Sequence, residues 1–256
     1  MTDLASRGPA IEFDQASFRL NGRPILNEIS LSVQPGETVV LLGRSGSGKT
    51  SALKLINGLQ LPTSGEVRVN GRRTQDWDPI ELRRGIGYVI QEGGLFPHYT
   101  IERNISLVPR IEGWDEKRVQ DRVRELLAMV RLSDDVSSRY PSELSGGQRQ
   151  RVGIARALAA DPPILIMDEA FGALDPITRS EMQKEFLELR QRMRKAVIFV
   201  THDLREALLV GDRIALLEEG RLIANLTPGE FEDSQNSIVR AYMEAFSDPA
   251  AVRRWA

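Results

Sequence analysis

The sequence predicts an α/β protein whose largely parallel sheet is covered by helices on both faces. Three observations lead to this class: an apolar strand over 164–167, a helical stretch from Pro176 to about Arg194, and a second apolar strand over 196–200. Strands that alternate with helices tend to pair in parallel, because the helix returns the chain to the starting end of the sheet. The chain of 256 residues, 41% of them hydrophobic, is long enough to bury the core of such a fold.

The composition excludes several kinds of protein chemistry. Cysteine is absent, so disulfides, thiolate catalysis and cysteine-bound zinc or iron–sulfur clusters are excluded. The two histidines, His98 and His202, are too few for a multi-histidine metal site. The 34 basic and 36 acidic residues give a net charge of −2, which argues against a nucleic-acid partner.

The sequence indicates neither a signal peptide nor a membrane-spanning helix. The N-terminal stretch MTDLASRGPA lacks the basic start and apolar centre of a signal peptide. No apolar run approaches the roughly 18 residues that a membrane span requires. We therefore expect a protein that is made and kept in the cytoplasm.

The first part of the chain, residues 11–91, is rich in predicted strands. Ile29, Leu31 and Val33 alternate with polar residues, as in a half-buried strand. Asn70-Gly71 is typical of a tight turn after a strand. Short apolar or alternating runs predict further strands over 39–42, 66–69 and 86–90.

Helical patterns dominate the middle of the chain, over about 92–155. Apolar residues recur there at helical spacing, at Val119, Val123, Leu126, Leu127 and Val130. Farther along, Asp175 is a helix N-cap with Pro176 at the first turn. The remaining predicted elements are a short helix over 203–209, a hairpin of strands 214–217 and 222–226, and a helical tail over 227–256.

A phosphate-binding loop is predicted between the strand 39–42 and the helical stretch that follows it. The segment fits G-x-x-x-x-G-K-[ST] with Gly43, Arg44, Ser45, Gly46, Ser47, Gly48, Lys49 and Thr50. The glycines allow successive backbone N–H groups to surround phosphate oxygens, and the helix beginning at Lys49 adds the positive end of its dipole. Lys49 then reaches the β- and γ-phosphates, and the Thr50 hydroxyl binds Mg²⁺.

Two carboxylates follow the apolar strand 164–167. Ligand groups gather at the carboxyl ends of parallel strands, so Asp168 is placed to hold Mg²⁺. Glu169, one residue later, is placed to orient and polarise the water that attacks the γ-phosphate. Alone, such a pair is more often a simple helix cap, but a phosphate loop in the same chain favours the catalytic interpretation.

The segment Leu144-Ser145-Gly146-Gly147-Gln148 completes a set of motifs. Ser145 can cap the helix that runs to about Leu158, and the two glycines let the backbone approach an anion. The phosphate loop, LSGGQ and the Asp-Glu strand, in this order, resemble the ATP-binding subunit of an ABC transporter over about 11–245. The resemblance implies a phosphate-loop NTPase core, an N-terminal antiparallel β subdomain, and a helical subdomain inserted at about 92–155, with 246–256 as a short tail.

Roles for further residues come from this resemblance. It implies that ATP is bound by the loop residues through Ser51 and that Gln91 contacts Mg²⁺ and the attacking water and links the site to a membrane subunit. His202 matches the histidine that touches the γ-phosphate, and Asp175 matches the residue that contacts the opposite monomer. Each nucleotide is then held between the phosphate loop of one monomer and Ser145, Gly146, Gly147 and Gln148 of the other, which implies a homodimer closed by ATP.

One position departs from the family pattern. An aromatic residue that stacks on adenine is usual fifteen positions before Pro35, and Leu20 stands there in this chain. Phe18 lies two residues earlier, on the same face of the predicted strand, and is the alternative stacking residue. The departure concerns the adenine contact and leaves the phosphate chemistry unchanged.

A second, narrower resemblance concerns the transported molecule. The stretches from Ile86 to Trp114 and from Phe171 to Arg179 are similar to the quaternary-amine uptake family, which imports glycine betaine, choline, carnitine or proline betaine. The resemblance implies a peripheral protein on the cytoplasmic face of the inner membrane that binds integral membrane permease subunits and works indirectly with an extracytoplasmic solute-binding protein. The loop around Phe96 and His98 is predicted to meet the permease. An importer of another small solute, and a soluble ABC protein without a transport role, remain the alternatives.

Overall fold

The computed structural model describes residues 8–91 and 93–247. The chain divides into two compact units. The first contains the described residues up to Trp77 together with those from Ala196 onward, and the second is Asp78–Lys195. The predicted helical insert at 92–155 lies in the second unit, with residue 92 outside the described part. The end of the predicted tail, 248–256, and the first seven residues of the chain also lie outside it.

The first unit begins with an antiparallel sheet in the order β2-β1-β4-β5. Its strands are β1 (Ile11–Leu20), β2 (Arg23–Val33), β4 (Ser64–Val69) and β5 (Arg72–Arg73). The predicted turn at Asn70-Gly71 is confirmed, because both residues have positive φ and join β4 to β5.

A second group of strands in the first unit carries the phosphate loop. Strand β3 (Thr38–Leu42) pairs in parallel with β8 (Ala196–Thr201) and β9 (Arg213–Glu218), and β10 (Arg221–Leu226) is antiparallel to β9. All five residues of β3 and all six of β8 are buried, as their apolar sequences predict. The helices of this unit are α1 (Lys49–Ile56), α7 (Leu204–Val210), α8 (Pro228–Glu232) and α9 (Ser237–Ser247).

The second unit pairs two parallel strands and adds five helices. Strand β6 (Ile86–Val89) lies beside β7 (Ile164–Asp168), with Val89 opposite Met167. The helices are α2 (Pro79–Arg84), α3 (Ile101–Ile111), α4 (Glu116–Met129), α5 (Gly146–Leu158) and α6 (Pro176–Met193). Helix α4 buries the four apolar residues that its periodicity predicts, Val119, Val123, Leu126 and Leu127.

The predicted fold class is confirmed. Parallel pairing relates β3, β8 and β9 in one unit and β6 and β7 in the other, and the N-terminal sheet is antiparallel. Helix α2 lies within the region that the sequence analysis treats as strand-rich, so its six residues are a difference from the prediction. Within the described residues, no helix combines the length and the apolar character needed to cross a bilayer.

Candidate functional site

The phosphate loop joins β3 to α1 in a conformation that requires glycine. A Cβ atom at Gly43 would lie 2.3 Å from the Leu217 carbonyl oxygen and 2.6 Å from Ser47 Oγ, which is closer than any real contact. Gly48 caps α1 with φ of 103°, a backbone region that side chains other than glycine rarely adopt. The glycine spacing that predicts the loop therefore has a direct steric cause.

Polar groups of the loop face its interior. Lys49 is 6% exposed, and its Nζ donates hydrogen bonds to the carbonyl oxygens of Gly43 (2.6 Å) and Arg44 (2.9 Å). The buried Ser47 Oγ has no hydrogen-bond partner within the described chain. A buried polar atom without a partner is costly, and a phosphate oxygen would satisfy it. An ammonium group and this hydroxyl inside a glycine-rich loop thus form a cradle for an anion.

Strand register brings His202 to the same edge as the phosphate loop. Leu42 at the end of β3 lies opposite Thr201 at the end of β8, so the residues that follow both strands emerge together. His202 and Arg44 line one pocket of about 360 Å³, which Tyr242 and Phe246 of α9 close from the other side. His202 is exposed.

The C-terminal helix also braces the turn beneath the loop. Tyr242 Oη donates a 3.1 Å hydrogen bond to Glu218 Oε2, and Gly220 N–H donates to the Ser47 carbonyl oxygen at 3.2 Å. Burial, followed by the charge of Glu218, raises the pKa of Tyr242 to about 12. The β9–β10 turn therefore links α9 to the backbone of the phosphate loop, a connection that the sequence analysis does not predict.

The structure separates the two candidates for the adenine contact. Phe18 is a core residue with 6% of its surface exposed, whereas Leu20 at the end of β1 is 49% exposed. Stacking on a base requires an open ring face, so the burial of Phe18 argues against it as the adenine contact and favours the position of Leu20. The cause is that Phe18 lies inside the antiparallel sheet opposite Leu26, while Leu20 lies at its end next to the turn at Asn21.

In the second unit, the ends of β6 and β7 lie side by side. Tyr88 Oη donates a 3.0 Å hydrogen bond to Asp168 Oδ2. Burial raises the pKa of Tyr88, and the negative charge of Asp168 raises it further. Glu169 adopts φ of 47°, an uncommon left-handed conformation for a glutamate. Such backbone strain concentrates at functional sites, where the surrounding structure holds it in place.

Gln91 lies next to the turn that follows Glu169. A Cβ atom at Gly172 would lie 3.3 Å from the Glu169 carbonyl oxygen and 3.8 Å from Gln91 Nε2. The Gly172 N–H donates to the Glu169 carbonyl oxygen at 3.0 Å, which closes this turn. Gln91 thus lies near the turn after Asp168 and Glu169 in the second unit.

The LSGGQ segment begins α5 as a capping box. Ser145 Oγ accepts from the Gln148 N–H (3.2 Å), and Gln148 Oε1 accepts from the Ser145 N–H (3.0 Å), so the predicted cap is confirmed. Asp175 caps α6 by accepting from the N–H groups of Ile177 and Thr178, and its hydrogen bonds with Thr178 lower the pKa of its carboxyl group. The two helix starts are neighbours, because a Cβ atom at Gly147 would lie 2.7 Å from Thr178 Cγ2.

Three residues with a place in this arrangement are absent from the sequence-based prediction. They are Tyr88, which binds Asp168, Arg179, which binds backbone carbonyls after Glu169, and Gly153, whose bare Cα lets the backbone of Gly93 approach. Only the position of Tyr88 is indicated by the sequence. It lies two residues after Ile86 in the predicted strand that ends just before Gln91. Arg179 and Gly153 occupy ordinary helical positions, and nothing in the local pattern marks them.

Comparison with known proteins defines the family. Residues 26–172, more than half of the chain, match the sequence model of a family described as ABC transporter. The chain belongs to this family. This agrees with the order of its motifs and with the phosphate loop at the end of β3.

Two proteins with assigned transport roles are similar to most of this chain. The chain is similar to the glycine betaine/carnitine/choline transport ATP-binding protein OpuCA of Bacillus subtilis, with 50% identity over 223 residues, covering 87% of this chain and 59% of that protein. It is also similar to the osmoprotectant import ATP-binding protein OsmV of Salmonella typhimurium, with 51% identity over 212 residues, covering 82% of this chain and 56% of that protein. The chain therefore spans little more than half the length of these relatives.

A solved structure supports the fold and a dimeric arrangement in the family. The dimeric post-hydrolysis state of an ATP-binding cassette bound to ADP and Pi is 32% identical to this chain, with a TM-score of 0.74, and the match covers 85% of this chain and 98% of that one. The predicted membership of the ABC family is thus confirmed from sequence and from structure.

Proposed function

We propose that this chain is the ATP-hydrolysing subunit of an ABC importer for quaternary-amine osmoprotectants such as glycine betaine, choline or carnitine. The observation that carries the ATPase proposal is the interior of the phosphate loop, where buried Lys49 and the unpartnered hydroxyl of Ser47 face an anion site. The solute class rests on the names of relatives at about 50% identity.

The residues of the chain fit Mg²⁺ bound together with a nucleotide. Among the described residues, no three acidic or histidine side chains form a metal cluster. Mg²⁺ commonly takes one or two protein oxygens and completes its shell with phosphate and water, which suits a hydroxyl and a carboxylate donor. We assign Thr50 and Asp168 as those oxygen donors and Gln91 as a further contact. When bound, the ion would neutralise charge that develops on the phosphates.

Glu169 is the proposed general base of hydrolysis. Its carboxylate would orient a water molecule for in-line attack on the γ-phosphate and accept its proton. His202 would donate a hydrogen bond to the γ-phosphate, and Lys49 would hold charge on the β- and γ-phosphates. In this structure, Lys49 Nζ donates to the Gly43 and Arg44 carbonyl oxygens.

ATP binding by two copies of the chain completes the proposed site. We propose that the capping-box helix start at Ser145–Gln148 of one copy faces the nucleotide held by the phosphate loop of the other, with Asp175 at the same interface. Helix N-termini favour anions, so this segment suits a γ-phosphate. The dimeric cassette bound to ADP and Pi is consistent with such an arrangement in the family.

A groove in the second unit is the proposed docking site for a permease. It has a volume of about 340 Å³ and a mainly apolar lining that includes Ile86, Phe96, Leu107 and Val108. Phe96 is 40% exposed and packs against the rings of His98 and Tyr99. We propose that a cytoplasmic helix of an integral membrane permease binds here. The chain then lies peripherally on the cytoplasmic face of the inner membrane, and the permease receives solute from an extracytoplasmic binding protein.

The experiment separates the ATPase from the transport proposal. Purified protein is expected to hydrolyse ATP only with Mg²⁺, and Glu169→Gln should retain ATP binding while turning over at least about a hundredfold more slowly. Lys49→Ala should weaken both binding and turnover. Wild-type turnover in Glu169→Gln would contradict the assignment of the general base.

Transport is measured in cells at high osmolarity. Deletion of the gene should abolish uptake of labelled betaine or choline, and Phe96→Asp should lower uptake while basal ATPase activity of the purified protein is kept. Normal amine uptake with loss of another solute's import would refute the solute class and leave an importer ATPase. Unaltered uptake of every solute would favour a soluble ABC protein.

A further inference from the structure

Arg179 in the first turn of α6 binds three backbone carbonyl groups of the preceding turn. Its Nε donates to the Phe171 oxygen (3.1 Å), and its Nη2 donates to the oxygens of Gly172 (2.9 Å) and Leu174 (3.0 Å). All three acceptors lie within four consecutive residues. A single guanidinium group therefore holds the backbone of 171–174 from one side.

The segment that Arg179 holds joins two proposed functional residues. At one end, the Glu169 carbonyl oxygen accepts from the Gly172 N–H at 3.0 Å. At the other end, the segment runs directly into Asp175, the N-cap of α6. A Cβ atom at Gly172, in its middle, would lie 3.8 Å from Gln91 Nε2. A shift of this backbone would move Glu169 and Asp175 together.

Arg179 is the charged donor to the outer part of the segment, where the Leu174 N–H also donates to the Phe171 oxygen at 3.2 Å. Phe171 is fully buried and packs edge-on against Phe186 at a ring distance of 6.2 Å, which anchors the inner part. Gly172, in contrast, is exposed and Leu174 is half-buried. Hydrogen bonds from a charged donor are stronger than neutral ones, so the guanidinium group restrains these two carbonyls strongly.

The three hydrogen bonds depend on the shape of the guanidinium group as well as on its positive charge. Guanidinium presents planar donors in fixed directions, and here two of its nitrogens serve three oxygens. A lysine ammonium is a compact donor at the end of a flexible stem and cannot span the same three acceptors in this way. Arg179→Lys therefore removes the clamp while it keeps the charge.

We propose that Arg179 is a positioning residue that couples Glu169 to Asp175 by fixing the backbone between them. The proposal rests on the proposed ATPase function, in which Glu169 is the base and Asp175 lies at the dimer interface. Arg179 acts through the backbone carbonyl groups to which it donates. Its loss should leave nucleotide binding by the phosphate loop unchanged and affect the two steps that depend on the segment 171–175.

The test compares Arg179→Lys with Arg192→Lys, an exposed arginine of the same helix. We expect Arg179→Lys to lower kcat by at least about tenfold, since misplacement of a catalytic group by 1 Å can cost a factor of a hundred, and to leave KM for ATP within about twofold. Arg192→Lys should match the wild type in both. Wild-type kcat in a folded Arg179→Lys protein would overturn the proposal.

A second measurement does not depend on hydrolysis. In a Glu169→Gln background, the fraction of ATP-induced dimer is measured by scattering, and amide exchange is followed at Gly172 and Leu174. Arg179→Lys should lower the dimer fraction and speed exchange at both amides, whereas Arg192→Lys should change neither. Unchanged exchange and dimerisation would overturn the coupling.

Two further outcomes are distinguishable. If Glu169→Gln alone keeps full turnover, the proposed catalytic function fails, and the exchange data still report on Arg179. If Arg179→Lys does not fold, Arg179→Gln is measured in the same way, because it keeps a planar donor group and lacks the guanidinium fork. A lower melting temperature with wild-type kcat and dimer fraction would show a purely structural role and overturn the proposal.

Discussion

The phenol of Tyr88 donates a 3.0 Å hydrogen bond to Oδ2 of Asp168 across the parallel strands β6 and β7. One of the two carboxylate oxygens of Asp168 is therefore engaged by a neutral donor, which fixes the side-chain rotamer. A group that hydrogen-bonds to a metal-binding side chain orients that side chain and tunes its affinity for the metal. Tyr88 is such a group for Asp168, the proposed Mg²⁺ ligand.

We expect Tyr88→Phe to raise the Mg²⁺ concentration needed for half-maximal ATPase activity by about tenfold, because outer partners of metal ligands commonly contribute that much. Maximal turnover at saturating Mg²⁺ should stay within a few-fold of the wild type. Tyr140→Phe, which removes a hydroxyl from an exposed tyrosine, serves as the control. An unchanged Mg²⁺ requirement in Tyr88→Phe would show that Asp168 is held by other contacts.

Gly153→Ala should destabilise the loop after Gln91 although alanine favours helices. A Cβ atom at Gly153 would lie 2.9 Å from the Gly93 Cα, and overpacking of this kind costs about 1–3 kcal/mol. The gain in helix propensity is about 1 kcal/mol, so the net loss of unfolding free energy should be about 0–2 kcal/mol. Denaturant unfolding and ATPase activity measure the two consequences.

The matched control for this change is Gly229→Ala in α8, where nothing lies within 4 Å of an added Cβ atom. Without a clash, it should raise the unfolding free energy by up to about 1 kcal/mol through helix propensity and leave activity near that of the wild type. A Gly153→Ala protein that is more stable than the wild type, with full activity, would mean that the loop moves aside without cost.

Leu20→Tyr should tighten ATP binding. Leu20 is the exposed side chain at the position where the family has an aromatic residue, and stacking on a base contributes about 1–3 kcal/mol. We expect a Kd for ATP at least about fivefold lower, measured by titration calorimetry. Leu61→Tyr, at another exposed leucine, should have no effect. Equal affinities for all three proteins would place the adenine away from the end of β1.

The Tyr242–Glu218 pair predicts a stability change at alkaline pH. The pKa of Tyr242 rises from 10.0 to about 12 in the folded protein, first through burial and then through Glu218. A raised pKa gives stabilisation that is complete below the unfolded value and is lost as the pH rises towards the folded value. The wild type should therefore lose stability relative to Tyr242→Phe between about pH 10 and pH 12.

Urea unfolding of both proteins at several pH values through this window measures the effect. A difference in unfolding free energy that stays constant across the window would contradict it. ATP affinity gives an independent readout, since the β9–β10 turn that Tyr242 braces donates a hydrogen bond to the Ser47 carbonyl oxygen. Tyr242→Phe is expected to weaken ATP binding.

Local sequence determined the parts of the site that depend on consecutive residues. The phosphate loop follows from glycine spacing, because only glycine fits at Gly43 and only glycine readily adopts the backbone of Gly48. The helix starts at Ser145 and Asp175 follow from side chains that reach N–H groups two or three residues away. Buried strands such as β3 and β7 follow from apolar runs that solvent would disfavour.

Tertiary structure alone decided which distant residues meet. Tyr88 and Asp168 are eighty positions apart, and their contact depends on the register of β6 against β7. Gly93 and Gly153 meet because α5 packs against the loop after Gln91, and Phe18 is buried within the sheet while Leu20 is exposed at the last position of β1. Such contacts depend on strand pairing and packing, whose free energies come from many residues at once. No short pattern in the sequence contains that information.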